Sequence, residues 1–202
     1  GCQSMDNEVL ILNERGHDAE SVRRASELIR AYGFELGHQM MTGLYGSTPE
    51  KDSYTADEII KLHPDTVRIY PVVILAGTRL AELYSEGKYP VYSLDEMVSY
   101  CSGYMKRFEE NGIRVIKCGL HASEAVEGEM LGGYYHPAFR ELCESRIFRD
   151  RLDAVLSPGA YNIFVKPSLV SKVTGQKRSN IKYFTQKGIT IKVIPAEQKE
   201  EI

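Results

Sequence analysis

The sequence predicts an α/β protein: parallel strands alternating with helices through most of the chain, then a small basic β-α-β module at the C-terminal end. Three observations carry that prediction. Strand-like and helix-like hydrophobic periodicities alternate, in units of about 30 residues, the size of a strand plus its crossover helix. Gly- and Pro-containing turns such as Thr42-Gly43-Leu44-Tyr45-Gly46-Ser47 and Ser157-Pro158-Gly159 separate units along the chain. The cations Lys166, Lys172, Lys177, Arg178, Lys182, Lys187 and Lys192 lie in one stretch that contains no Asp or Glu. Strands and helices repeated in this order imply parallel strands with right-handed crossovers. An α/β barrel and a doubly wound sheet both fit, and either gathers ligands at the C-terminal ends of its strands.

Each element follows from its residues. A short helix is expected over residues 6–14. Residues 20–32 form an amphipathic helix, with Val22, Ala25, Leu28 and Ile29 on one face and Arg23, Arg24, Glu27 and Arg30 on the other; Gly33 ends it. A strand over 34–41 runs into the loop Thr42-Gly43-Leu44-Tyr45-Gly46-Ser47. Thr48-Pro49-Glu50 opens a helix to about residue 62, with proline in the first turn. Residues 66–73 are β-branched and aromatic and read as a single strand, 77–87 as a short helix. The helix over 93–111 begins with Ser93 and Glu96 at capping-box spacing. A strand over 113–118 follows. Gly132-Gly133-Tyr134-Tyr135-His136-Pro137 reads as a loop, 138–152 as a helix and Ser157-Pro158-Gly159 as a linker. The tail reads strand 161–165, helix 179–186, strand 189–194. Three regions result: 1–127, a helical extension and linker over 128–157, and the basic module over 158–202.

Composition excludes several classes. The 202 residues carry 25 Lys+Arg against 28 Asp+Glu, a net charge of −3, with 43% apolar and 26% charged residues. That is ordinary for a globular domain and unlike a disordered, collagen-like or disulfide-dense chain. No apolar run reaches the ~20 residues of a membrane span. Cys2, Cys101, Cys118 and Cys143 are scattered, without a CxxC pair or a secretory leader pattern, so reduced thiols in the cytoplasm are expected.

The residues that follow the strands are the chemical candidates. Gln3 and Gln39 are polar amides at strand ends, suited to ribose hydroxyls or another polar group, though a surface amide would look the same. Arg15, just before Gly16-His17, suits a carboxylate, though a lone arginine there is commonly solvated. The Gly43 loop admits close backbone approach, as any tight strand-to-helix turn also does. Cys118, His121, His136 and Cys143 lack the paired ligand sets of a structural zinc site, so no metal site is expected. Ser4 and Ser123 lack a nucleophile-elbow pattern. Lys177, Arg178 and Lys182 lie around Val173-Thr174-Gly175-Gln176-Lys177-Arg178, which resembles the backbone-gripping GxxG turn of a KH module with Arg178 in place of the second glycine. A basic helix start suits phosphate, while a solvated basic face is the bland alternative.

Taken together, Gly1-Cys2-Gln3-Ser4-Met5-Asp6, Arg15-Gly16-His17, Gln39 to Thr48, Val67-Arg68-Ile69-Tyr70-Pro71 with Gly77-Thr78-Arg79-Leu80-Ala81, and Tyr134-Tyr135-His136-Pro137-Ala138-Phe139 with Glu144-Ser145-Arg146 resemble the second half of a radical S-adenosylmethionine (SAM) enzyme. The similarity is to proteins related to the catalytic subunit of Elongator and, more distantly, to oxygen-independent coproporphyrinogen oxidases. It implies a partial radical SAM barrel. It also implies that Gln3 and Gln39 face the methionyl and ribose region of SAM, that Arg15 approaches its carboxylate, that Gly43 shapes the pocket, and that Val73 and Ile74 lie along the adenine. Tyr134, Tyr135, His136 and Arg146 fall on the substrate side or in a packed aromatic loop. The family's [4Fe–4S] cluster needs a CxxxCxxC run, and none is present. The expectation is therefore a C-terminal piece of such an enzyme, inactive without the N-terminal half of the same polypeptide. SAM and the cluster then belong to the parent, and RNA, tRNA first, is the partner to test. A non-catalytic nucleic-acid-binding module using the basic tail is the alternative. Open strand edges of a partial barrel suggest a homodimer.

Overall fold

The computed structural model describes residues 1–121 and 124–197. Two compact units divide the chain, Gly1–Phe139 and Arg140–Ile202.

In the first unit, helices α1 (Asn7–Leu12) and α2 (Ala19–Ala31) precede strand β1 (Gly37–Thr42). Helix α3 (Pro49–Lys61), strand β2 (Thr66–Pro71), strand β3 (Val73–Leu75), helices α4 (Arg79–Ser85) and α5 (Leu94–Glu110), strand β4 (Arg114–Cys118), helix α6 (Glu124–Glu129) and strand β5 (Met130–Gly133) follow. The sheet is all parallel in the order β1-β2-β4. Gln3 adds a parallel bridge to Met40, so the chain passes β1 on its free side before α1 begins.

Helix starts are fixed by side-chain caps. Asp6 accepts from Val9 N at the start of α1, Asp18 from Ser21 N at α2, and Thr48 from Lys51 N at α3. Ser93 and Glu96 form the full capping box of α5. One face of the sheet builds the core: His38, Met40, Thr42, Val67, Ile69, Val115 and Cys118 are buried, joined by Ile59 and Ala56 of α3 and by Met97, Cys101, Met105 and Phe108 of α5. Gln39, Met41, Arg68, Tyr70 and Lys117 are half-buried or exposed on the other face, as the period-2 alternation of a strand requires.

The expected single strand over 66–73 is two strands in different sheets. β2 ends at Pro71, which lacks an N–H for the ladder. Val72 N donates to Thr42 O at 3.0 Å, and β3 then pairs antiparallel with β5. The segment from Gly132, expected as loop, therefore begins in a strand. Gly133 has φ +94°, and a Cβ there would lie 2.6 Å from Val72 O, so only glycine lets the two strands close.

In the second unit, helix α7 (Phe139–Asp153), strand β6 (Gly159–Val165), helices α8 (Val170–Thr174) and α9 (Ser179–Gln186) and strand β7 (Ile189–Pro195) form a β-α-β unit. β6 and β7 pair in parallel over their full lengths, Gly159↔Ile189 to Val165↔Pro195. Phe184, Ile189 and Ile191 make the core, with Leu152, Leu156, Tyr161 and Ile163 against it. Buried Asn180 donates to Ser145 O and Ser145 Oγ at 2.9 and 3.0 Å, tying α9 to α7. Ser157-Pro158-Gly159 is a linker only to Pro158, since Gly159 is the first residue of β6. Among the described residues, no helix is long and apolar enough to cross a membrane.

Candidate functional site

Gln3 sits where the chain passes the C-terminal half of β1, and its backbone is unusual. It is left-handed (φ +58°), a conformation rare for a residue with a side chain. Cys2 N and Gln3 N both donate to Gln39 O, at 3.0 and 2.9 Å, and Met41 N donates to Gln3 O at 2.8 Å. Two residues opposing one is a bulge, a device that re-aims a side chain. It brings Gln3 and Gln39 together at the edge of the open face.

Arg15 joins them. Its Nη2 lies 3.3 Å from Met41 Sδ, a weak acceptor, and its Nε is buried without a partner among the described residues. His17 braces this turn: its Nδ1 meets Arg15 O at 2.9 Å and its Nε2 meets Cys2 O at 3.2 Å. A guanidinium N–H buried without an acceptor is costly and marks a place where an anionic group would be well received.

Gly43 follows β1 with φ +74°. Its N–H donates to Asp52 Oδ2 at 2.9 Å, Ser47 Oγ donates to Asp52 Oδ1 at 2.6 Å, and the Tyr89 hydroxyl donates to Gly43 O. The buried Asp52 carboxyl thus holds both ends of the loop, and burial pushes its pKa from 3.8 up to about 6. A Cβ on Gly43 would lie 2.7 Å from the Tyr134 ring. The loop, Tyr89, Tyr92 and Tyr134 wall a cavity of about 250 Å³. Tyr134 is itself buried and accepts from Tyr92 N at 3.0 Å, which places it in a packed aromatic cluster.

The adenine candidates occupy a different setting. Val73 pairs with Gly133 and Ile74 with Gly132, and the Ile74 side chain is fully buried, so what Ile74 offers a ligand is backbone. Ser4, also buried, accepts from Asp6 N and lies 3.2 Å from Thr55 Oγ1, a brace between the strand end and α3. Ser123 lies outside the described residues. All four cysteines are free and buried, and no three His, Cys, Asp or Glu residues converge among the described residues. His136 Nδ1 accepts from Ala138 N, and Arg146 pairs with Asp150.

Arg68 and Lys117, to which the sequence assigned no site role, share the open face: Gln39, Arg68 and Lys117 are register partners across β1, β2 and β4. A register shift after Val67 brings Lys117 rather than Ile116 opposite Arg68. The alternation in Val67-Arg68-Ile69-Tyr70 is the signal that was there to find.

In the second unit, Lys177 and Arg178 are consecutive left-handed residues (φ +50° and +61°) immediately before α9. With Lys182 they are exposed, and none makes an ion pair among the described residues. Lys172 and Lys187, by contrast, are held by Glu144 and Asp153.

Residues 64–149 match the family model "Radical_SAM C-terminal domain". The "tRNA uridine(34) acetyltransferase" of Methanocaldococcus infernus is 33% identical over 133 residues, covering 63% of this chain and 25% of that protein. "Elongator complex protein 3" of Homo sapiens is 31% identical over 101 residues, covering 48% of this chain and 18% of the relative. This chain is homologous to the Elp3-like proteins. A solved structure of archaeal Methanocaldococcus infernus Elp3 with an N-terminal deletion superposes with a TM-score of 0.67 at 28% identity, covering 75% of this chain and 35% of that one. The mixed α/β fold with parallel strands is therefore one this chain shares with Elp3. The chain spans about a quarter of the length of its archaeal curated relatives.

Proposed function

We propose that this chain forms the C-terminal part of a radical SAM module and supplies one wall of its SAM pocket, within a longer enzyme that modifies RNA, tRNA first. The observation that carries the reading is the buried Nε of Arg15, without a hydrogen-bond partner among the described residues, beside the bulge that seats the Gln3 backbone against Gln39. These groups fit the amino-acid end of SAM: a guanidinium for the carboxylate and two amides for its polar neighbours. The Gly43 loop, fixed by Asp52, bounds the pocket on the C-terminal side of β1. The cluster does not fit. Four buried, scattered thiols offer no ligand set, so its cysteines belong to the N-terminal half of such an enzyme. Bound SAM would supply the radical chemistry in the whole enzyme, and Arg15, Gln3 and Gln39 would hold and orient its amino-acid end.

SAM and decarboxylated SAM, titrated into the labelled chain by NMR, separate this from other uses of the face. SAM is expected to bind at least tenfold tighter, with shifts at Gln3, Arg15 and Gln39. In Arg15→Ala the preference disappears, and in Arg15→Lys part of it returns. Equal binding of the two ligands to the unaltered chain would overturn the assignment.

A second reading concerns the basic unit. Its favouring observation is the exposed trio Lys177, Arg178 and Lys182, without ion pairs among the described residues, at a turn where Lys177 and Arg178 are left-handed. We propose that it binds RNA backbone, with or without the catalytic half.

A further inference from the structure

The open face of the parallel sheet carries cations that the SAM reading does not use. Arg68 is the central residue of the face: Gln39 lies on one side and Lys117 on the other, as register partners. Adjacent strands place such partners about 4.8 Å apart, close enough for two long side chains to meet on one ligand atom group. Arg68 is exposed and makes no ion pair or hydrogen bond among the described residues. Lys117 has no carboxylate partner among the described residues, and its Nζ lies 2.9 Å from His121 Nδ1. Two residues further along β1 and β2 are Met41 and Tyr70, the latter contributing a phenol to the same face. The sheet thus presents a planar fork, a point charge, an amide and a hydroxyl in one small area, with the register shift in β4 required to bring the lysine into it.

We infer that this rung, Gln39-Arg68-Lys117, is a phosphoryl-binding site on the substrate side of the proposed SAM pocket. Two separate cations of different geometry suit a dianion with several acceptor oxygens better than a single planar carboxylate, which one arginine fork satisfies alone. The inference rests on the open face being the one turned toward the reaction, but its binding prediction stands apart from SAM.

Inorganic pyrophosphate, adenosine 5′-monophosphate and a short single-stranded RNA are titrated separately into the full chain, with amide shifts mapped by NMR. Saturable shifts on Gln39, Arg68, Tyr70 and Lys117 are expected with pyrophosphate. Arg68→Ala and Lys117→Ala should each weaken it at least tenfold, and Arg68→Lys should recover part of the loss. A free nucleotide as substrate makes the monophosphate bind the rung as pyrophosphate does; a polynucleotide makes the RNA bind it more tightly. Shifts confined to residues 166–192, or indifference to Arg68→Ala, would overturn the site. SAM titrated into Arg68→Ala is expected to bind as to the unaltered chain. Equal loss of SAM and pyrophosphate would show the cation to belong to the cofactor and also overturn it. A chain that ignores SAM yet binds pyrophosphate at the rung would remove the cofactor reading and leave this one standing.

Discussion

Asp52 and His38 are buried titratable groups on neighbouring elements, and pH pulls on them in opposite senses. Burial raises Asp52 to about 6, so the folded chain holds its proton while the unfolded chain has lost it above about 4. Its effect is to lower stability as pH rises between those values. His38 moves the other way: burial lowers it from 6.5 to about 4, and its Nε2 meets Ser26 Oγ at 3.0 Å. The unfolded chain then binds the extra proton, and stability is lost as pH falls from 6.5 toward 4. Each effect amounts to ~3 kcal/mol at 1.36 kcal/mol per pKa unit. Because the windows overlap, the two largely cancel in the unaltered protein. Urea midpoints between pH 4 and 6.5 should therefore change little. In Asp52→Asn they should rise with pH, exposing His38; in His38→Gln they should fall. Parallel slopes in all three proteins would refute the account. Asp52 was not legible as a loop anchor, because in the sequence it is one acid in the first turn of a helix. Only the return of Gly43 and Ser47 to its two oxygens reveals the role. Gln39, read as a strand-end residue, lies in the middle of β1, because the strand begins at Gly37 and runs on to Thr42, and the left-handed bulge at Gln3 leaves no signal in composition or periodicity.

Among the elements, those with capped starts and clear periodicity were readable to within a few residues: α2, α3 and α5 begin where Asp18, Thr48 and Ser93 place them. The β3–β5 pair was not. Its second strand, Met130–Gly133, ends in two glycines and has no alternation, so nothing local marks it. Its existence depends on a backbone approach at Gly133 that becomes visible only with Val72 alongside. That makes the pair testable. Gly112 also has positive φ (+73°) but nothing within 4 Å of a Cβ, so Gly112→Ala should cost about 1 kcal/mol from backbone strain alone. Gly133→Ala adds a contact of 2.6 Å to the Val72 carbonyl and should cost at least twice as much. Chemical denaturation of the two variants checks the ordering. Similar losses would mean that β5 is held by something other than close backbone approach. At helix α3, Thr48→Ala should cost ~1 kcal/mol, the usual loss for a threonine N-cap, by the same measurement.

For the whole molecule, motif order was readable over most of the chain, whereas the boundary between units was not. The change of pattern near Gly128 suggested an end to the first region there, yet β5 returns to pair with β3 and keeps residues to Phe139 in the first unit. The helix expected as a separate extension belongs, from Arg140 on, to the basic unit through the Ser145–Asn180 hydrogen bonds. Charge is divided as well. The seven cations between Lys166 and Lys192 leave 18 against 28 acids in the remainder, so the chain is acidic overall while one short stretch is cationic. A polyanion bound through that stretch releases counterions in proportion to the phosphates it neutralises, about 0.7 per contact on a single strand. If Lys177, Arg178 and Lys182 each meet one phosphate, the logarithm of the association constant should fall against the logarithm of salt concentration with a slope near −2. Lys177→Ala/Arg178→Ala should bring the slope to about −0.7, whereas Lys172→Ala, whose cation is already paired with Glu144, should leave it nearly unchanged. Fluorescence anisotropy with a labelled anticodon stem-loop over a salt series measures all three. Equal slopes in the unaltered chain and the double variant would show that the negative net charge dominates and that the basic turn binds no RNA backbone.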